Sequence, residues 1–307
     1  MNFSFRNIEF ESQGTTLRGR LYLPKVRSGE KHPVVLMAHG FTSTINHMTA
    51  DKYAERFKDN GFAVLLFDHR NFGTSDGEPR QEINFWAQAR GYVDAIDFVC
   101  AQPETDHAKI AVWGASMSSR EAFLVGSVDE RISAIISIVP AFGDAWPHGE
   151  DDGRSYAFAK ETLLAEDILS LPHTKTKKMP VVSSDQIGTP STLKELTAYR
   201  WFIEYGGRFG TQWKNVVSFS NTDIPENFHL GLCASHLKAP ILMIVAKNDE
   251  MEGASPEITK KVFKMVRQPK EWVDISGGHF GLLYYPGPLF EKSSRAQVNF
   301  LQRHLNT

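Results

Sequence analysis

Four runs of residues, 33–37, 62–67, 110–113 and 132–139, are apolar almost without interruption, and helix-type sequence separates them. A strand with one wet face alternates polar and apolar side chains, because successive residues point to opposite sides of the sheet. An unbroken apolar run is therefore a strand buried on both faces, the condition of a parallel sheet covered by helices. The intervening segments agree: residues 48–59 and 83–100 read as helices, and Gly61 stops the first. Ahead of them, residues 7–10 and 17–23, closed by Pro24, read as a hairpin or meander. The pattern resumes at residues 240–246 and runs through a strand at 272–275 to residue 305. The predicted fold class is α/β, with a mostly parallel central sheet and helices on both faces.

Between residues 141 and 236 the alternation breaks. This stretch is rich in polar loops and aromatic residues, including Trp146, Trp201, Phe202, Tyr205, Trp213 and Phe228, with helical periodicity at 157–170 and 192–205. An insertion of this length reads as a cap over the active face or as a peripheral packing or dimerisation element. The predicted organisation is a core of residues 1–140 and 237–307 with an inserted helical cap at 141–236. Trp146, Trp201 and Trp213 are candidates for substrate contact, because aromatic side chains supply apolar walls. The same rings equally suit the insertion's own core.

Chemistry-bearing residues follow the apolar runs. After residues 110–113 comes Gly114-Ala115-Ser116-Met117-Ser118, a small-x-Ser-x-small pattern leading into helix-type sequence. That is the pattern of a nucleophile elbow, a strand-to-helix turn that exposes one hydroxyl in a strained backbone conformation. Ser118 stands where the motif has its second glycine, and Ser119 beside it also replaces a glycine common in such elbows. His39-Gly40-Phe41-Thr42 follows the run at 33–37, where a turn offers the Phe41 backbone N–H to an oxyanion. The Met117 N–H, at the start of the elbow helix, is the second expected donor, aided by the helix dipole. After residues 241–245 come Asp249 and Glu250, and Asp249 is preferred as the carboxylate that orients an imidazole. His279, flanked by Gly277, Gly278 and Gly281, follows the strand expected at 272–275 and completes the order serine, acid, histidine.

With these landmarks together, the chain resembles an α/β-hydrolase. The stretch from Phe67 to Gly77, with Asp68, Arg70 and Gly73, is similar to that superfamily's aspartate, arginine and glycine loop. The resemblance covers nearly the whole chain except the insertion. Within the superfamily the chain looks most similar to the dienelactone-hydrolase-like and polyketide-tailoring hydrolases that carry an insertion before the acid-bearing strand. It implies a serine hydrolase acting on an ester or thioester through Ser116, Asp249 and His279, without metal or organic cofactor. Two rival outcomes share the scaffold: an acyltransferase or cyclising thioesterase using the same acyl-enzyme, and a non-catalytic ligand-binding protein.

Composition narrows the partners. The 307 residues carry a formal net charge of −2, with 41% hydrophobic and 23% charged residues, as in an ordinary globular protein. No basic stripe is present to hold nucleic acid, and Lys175-Thr176-Lys177-Lys178 reads as a solvated loop. The 11 histidines are scattered without metal-ligand spacing. Cys100 and Cys233, far apart in apolar settings, read as buried thiols and not as a disulfide. No apolar stretch is long enough to span a membrane, and residues 1–10 lack the pattern of a secretory signal, so a cytoplasmic protein is expected. The expected partner is a small-molecule ester or thioester, and self-association through the insertion or an edge of the core is compatible with the sequence.

Overall fold

The computed structural model describes residues 5–25, 29–148 and 153–305. The first four residues of the amino-terminal stretch, residues 149–152 of the expected insertion and the last two residues of the core therefore lie outside the described residues. In chain order the regular elements begin with β1 (Phe5–Ser12), β2 (Thr15–Tyr22), β3 (His32–Ala38), α1 (Ala50–Asp59), β4 (Ala63–Phe67), β5 (Glu82–Ile83) and α2 (Phe85–Cys100). They continue with β6 (Thr105–Ala115), α3 (Met117–Val128), β7 (Ile132–Ile138), α4 (Arg154–Leu163), β8 (His173–Lys175), α5 (Leu196–Trp201) and β9 (Ser218–Thr222). The last four are β10 (Ile241–Ala246), α6 (Pro256–Met265), β11 (Lys270–Ile275) and α7 (Pro288–Leu305).

Eight strands form one sheet in the order β1-β2-β4-β3-β6-β7-β10-β11. Only β2 runs against the others, pairing antiparallel with β1 and β4, while every pair from β4 to β11 is parallel. The reversal from β1 to β2 takes two residues, Gln13 and Gly14, both with positive φ, the turn whose twist suits a hairpin. Every residue of β4 and β10 is buried, as expected of strands covered on both faces. Alternate residues of β3 divide between two cores: Val34, Leu36 and Ala38 pack with α2, α3 and α6, and Val35 and Met37 pack with α1 and α7.

The structure differs from the sequence expectation at several boundaries. Helix α2 begins at Phe85, not at residue 83, because the Asn84 side chain caps it by accepting from Ala87 N at 3.0 Å. Glu82 and Ile83 instead pair with Ser218 and Phe219 of β9, in a second sheet ordered β5-β9-β8. The helix expected over 157–170 spans Arg154–Leu163, and a 3₁₀ turn at Ile168–Ser170 follows, capped by Asp167. The helix expected over 192–205 is α5, continued by a π-helical turn at Phe202–Gly206. Lys175, expected in a loop, ends the exposed strand β8. Neither cysteine is in a disulfide; Cys233 is buried and Cys100 half-buried.

Tyr92 of α2 ties the middle of the sheet together. Its buried hydroxyl donates to Trp113 O of β6 at 2.7 Å and accepts from Ala38 N of β3 at 3.0 Å, where the two strands separate toward their carboxyl ends. Burial raises its phenol well above the usual value, so it serves these bonds as a neutral group. Tyr92→Phe leaves a buried N–H and a buried C=O each short of a partner. It is expected to lower stability by about 1–3 kcal/mol, read as a shift of the urea unfolding midpoint at constant slope.

Candidate active site

Strand β6 ends at Ala115 and α3 starts at Met117, so Ser116 alone makes the turn between them. Its backbone lies at φ 57°, ψ −117°, a conformation that costs an L-residue energy and persists only under surrounding constraint. The constraint is close packing: a Cβ on Gly114 would stand 2.1 Å from Ser118 O, so only glycine fits there. The serine at 118 is equally accounted for. Its hydroxyl accepts from Ala115 N at 2.9 Å and lies 3.1 Å from Ala38 O, binding the elbow to the end of β3. Ser119 Oγ donates back to Ser116 O at 2.5 Å. Both departures from the glycine pattern thus supply hydrogen bonds that glycine lacks.

His279 is 2% exposed, and its Nδ1 lies 2.8 Å and 3.0 Å from the two carboxylate oxygens of Asp249, whose side chain is also 2% exposed. Glu250, the neighbouring acid, has a different partner. It accepts from the His279 backbone N–H at 2.9 Å and from the Thr197 hydroxyl of α5. The approach requires the glycine at 278, where a Cβ would stand 2.1 Å from Glu250 Oε2. Burial works to raise the Glu250 carboxyl, but the bonds from Thr197 and His279 outweigh it and hold the group below its usual value. One acid therefore engages the imidazole and the other the loop that carries it.

Ser116 and His279 line one cavity of about 220 Å³, together with His39, Gly40, Phe41, Met117 and Arg120. Leu193, Trp201 and Phe202, from the segment expected as a cap, line it as well. Of the three tryptophan candidates, Trp201 lines the cavity, with its Nε1 donating to Leu283 O at 3.1 Å. Trp146 packs against the His229 ring at 4.7 Å, and Trp213 stacks on Phe202 at 5.5 Å, both outside the lining. Met251, Phe280 and Leu283 line the cavity without having been singled out, since no local motif marks them. Arg120 did carry a readable signal: it follows Ser116 by four residues, hence lies on the same face of the elbow helix. Among the described residues no group of three or more His, Cys, Asp or Glu side chains is arranged to hold a metal ion. Nor, among them, is any helix long and apolar enough to cross a membrane.

Beneath the elbow lies a buried polar layer. Glu121 of α3 is fully buried, and its Oε2 lies 3.0 Å from His69 Nε2, which is also 3.1 Å from His39 O. Asp68, next to His69, accepts from Ile45 N at 2.9 Å and Thr74 N at 2.8 Å and so closes the loop after β4. Burial, reinforced by His69, pushes His39 down to about 3. Folded His39 thus refuses a proton that the unfolded chain accepts near pH 6.5, so stability is complete above that value and falls as the pH drops toward about 3. Urea midpoints measured across this window are expected to decline with acidification, and His39→Gln to show a shallower decline.

With this geometry in hand, comparison with known proteins gives the chain its family. Residues 13–271 match the family model described as X-Pro dipeptidyl-peptidase (S15 family). The chain is 40% identical over 310 aligned residues to the thiohydrolase aneE of Aspergillus aculeatus, covering 97% of this chain and 93% of that protein. It is 33% identical to the polyketide transferase claH of Penicillium crustosum, with 98% of each covered. In fold it is similar to the crystal structure of the α/β hydrolase GrgF from Penicillium sp. sh18, with a TM-score of 0.74, 23% identity, and 99% and 100% of the two chains covered. The protein has the α/β-hydrolase fold and belongs to the hydrolase family described as X-Pro dipeptidyl-peptidase (S15).

Proposed function

We propose that the protein is a serine hydrolase cleaving a carboxylic ester or thioester with a hydrophobic acyl or ring-bearing group through an acyl-enzyme on Ser116. The observation that carries this reading is the convergence on one largely apolar cavity of a strained serine at a helix N-terminus and an imidazole held by a buried carboxylate. With Nδ1 engaged by Asp249, His279 has Nε2 left to take the Ser116 proton as Oγ attacks the substrate carbonyl. Asp249 holds the tautomer and stabilises the imidazolium that forms. The Met117 N–H, at the first position of α3, has no intrahelical acceptor, and with the Phe41 N–H it stabilises the oxyanion. His279 then returns the proton to the leaving alcohol or thiol, and water, activated in the same way, releases the acid.

The full-length relatives named thiohydrolase and polyketide transferase support a small-molecule thioester or ester as substrate. The second name also favours transfer, in which an alcohol or amine replaces water at the acyl-enzyme. Residues 141–236 act in either case as the cap, since Leu193, Trp201 and Phe202 contribute to the apolar wall. We place the enzyme in the cytoplasm.

A fluorophosphonate probe is expected to label the wild type and not Ser116→Ala, while 4-nitrophenyl esters and acyl thioesters are turned over by the wild type alone. Labelling that persists in Ser116→Ala overturns the nucleophile assignment. Adding an alcohol or amine acceptor to the assay separates hydrolysis from transfer by the product formed. Asp249→Asn is expected to lower kcat by about 10⁴, and Glu250→Gln by about tenfold through loss of a charge-assisted bond to the histidine loop. The reverse ranking moves the acid by one residue.

A further inference from the structure

Arg120 is a charged residue in an apolar cavity wall. It projects from the first turns of α3, one helical turn beyond Ser116, and lines the same cavity. Its Nε is cut off from solvent and has no hydrogen-bond partner. Among the described residues its guanidinium makes no ion pair, and its charged group rests over the Phe85 ring at 4.9 Å. Glu121, its neighbour in sequence, lies 3.0 Å from His69 and acts on Arg120 through its charge without forming an ion pair with it. Glu252, the carboxylate in the cavity lining, is turned outward with its side chain 75% exposed and lies 3.9 Å from Lys194. A ring face compensates a desolvated cation only in part, so this charge carries an unmet demand for an anion.

A second donor stands near the same wall. His229 Nδ1 accepts from Gly231 N at 3.0 Å, which leaves the hydrogen on Nε2, directed at the Phe142 backbone carbonyl without closing a good hydrogen bond. Nε2 lies 3.8 Å from where a Cβ on the cavity-lining Gly143 would project. Apart from Arg120 and the outward Glu252, the walls away from Ser116 are chiefly apolar, with Leu193, Trp201, Phe202 and Phe280 among them.

We propose that Arg120 is a specificity-determining residue that binds a carboxylate carried on the acyl chain, so that the preferred substrates are esters or thioesters of acids bearing a second, free carboxyl group. This rests on the serine hydrolase reading above and narrows its substrate class. A guanidinium offers paired N–H donors matched to a carboxylate, and in a low-dielectric wall such a pair is strong enough to select between acyl chains. An uncharged acyl chain of equal length would leave the cation unpaired. The apolar remainder of the cavity holds the methylene chain between the two carboxyl ends.

The test compares 4-nitrophenyl hydrogen suberate with 4-nitrophenyl octanoate, the half-ester and the neutral ester of equal carbon count, and repeats the comparison with adipate and sebacate half-esters. The wild type is expected to favour a half-ester in kcat/KM. Arg120→Met is expected to cut that preference about 10- to 100-fold, chiefly through KM, and Arg120→Lys to restore part of it and to guard against misfolding of the methionine variant. An unchanged preference in Arg120→Met overturns the proposal. So does an Arg120-dependent preference for octanoyl-coenzyme A over the octanoyl thioester of N-acetylcysteamine, which assigns the anion to leaving-group phosphates. Calorimetric binding of suberic acid monomethyl ester to Ser116→Ala, with and without Arg120→Met, reads the subsite without catalysis. An affinity lost with Arg120 supports the subsite even where fluorophosphonate labelling rejects Ser116 as nucleophile, and equal affinities overturn it even where Ser116 is labelled.

Discussion

The close approach of Gly114 to Ser118 is the contact on which the rest of the site depends. Without a Cβ at 114, the end of β6 and the first turn of α3 pass within a distance no other residue permits, and Ser116 is forced to positive φ. The strain is offset by bonds that converge on the same few residues. The Ser118 hydroxyl links Ala115 to Ala38, Tyr92 links Ala38 to Trp113, and Ser116 N donates to Ile138 O at 2.9 Å. Strands β3, β6 and β7 thus meet at one point through backbone groups, and the proposed nucleophile sits on it. Using serine at 118 exchanges some turning freedom for an added tether.

The loop carrying His279 is restrained from two sides. Asp249 engages the imidazole, while Glu250 takes the backbone N–H and is itself held by Thr197 of α5. Under the proposed mechanism, motion of α5 reaches the general base through Thr197 and Glu250. His39, which lines the cavity, is held neutral by burial, and Glu121 lies enclosed against His69 below the elbow. Arg120 lines the cavity over the Phe85 ring and, among the described residues, forms no ion pair.

Much of this was legible in the sequence because it depends on local pattern. The apolar runs at 33–37, 62–67 and 132–139 lie within or closely over β3, β4 and β7, since a strand buried on both faces has no polar phase to obscure it. Ser116, Asp249 and His279 each stand at a strand end, where the parallel sheet gathers side chains into one crevice. The pairing of β5 with β9 was not legible, because Glu82 and Ser218 lie far apart in sequence and neither stretch has a strong strand pattern. The separate tasks of Asp249 and Glu250 were also hidden, since adjacent carboxylates look alike until the course of the loop is known.

The sequence by itself determined the α/β architecture, the order of its strands along the chain and the small set of residues from which a serine, acid and histidine constellation could be drawn. Hydrophobic periodicity and glycine placement act over a few residues, so no folded partner is needed to read them. Only the tertiary structure decided that Trp201 and not Trp146 or Trp213 lines the cavity, that Glu250 holds a backbone while Asp249 holds a ring, and that Arg120 lines an apolar space without an ion pair among the described residues. Those outcomes depend on which distant groups come within a few ångströms of one another. That is set by the packing of whole elements and is not encoded in any single stretch of chain.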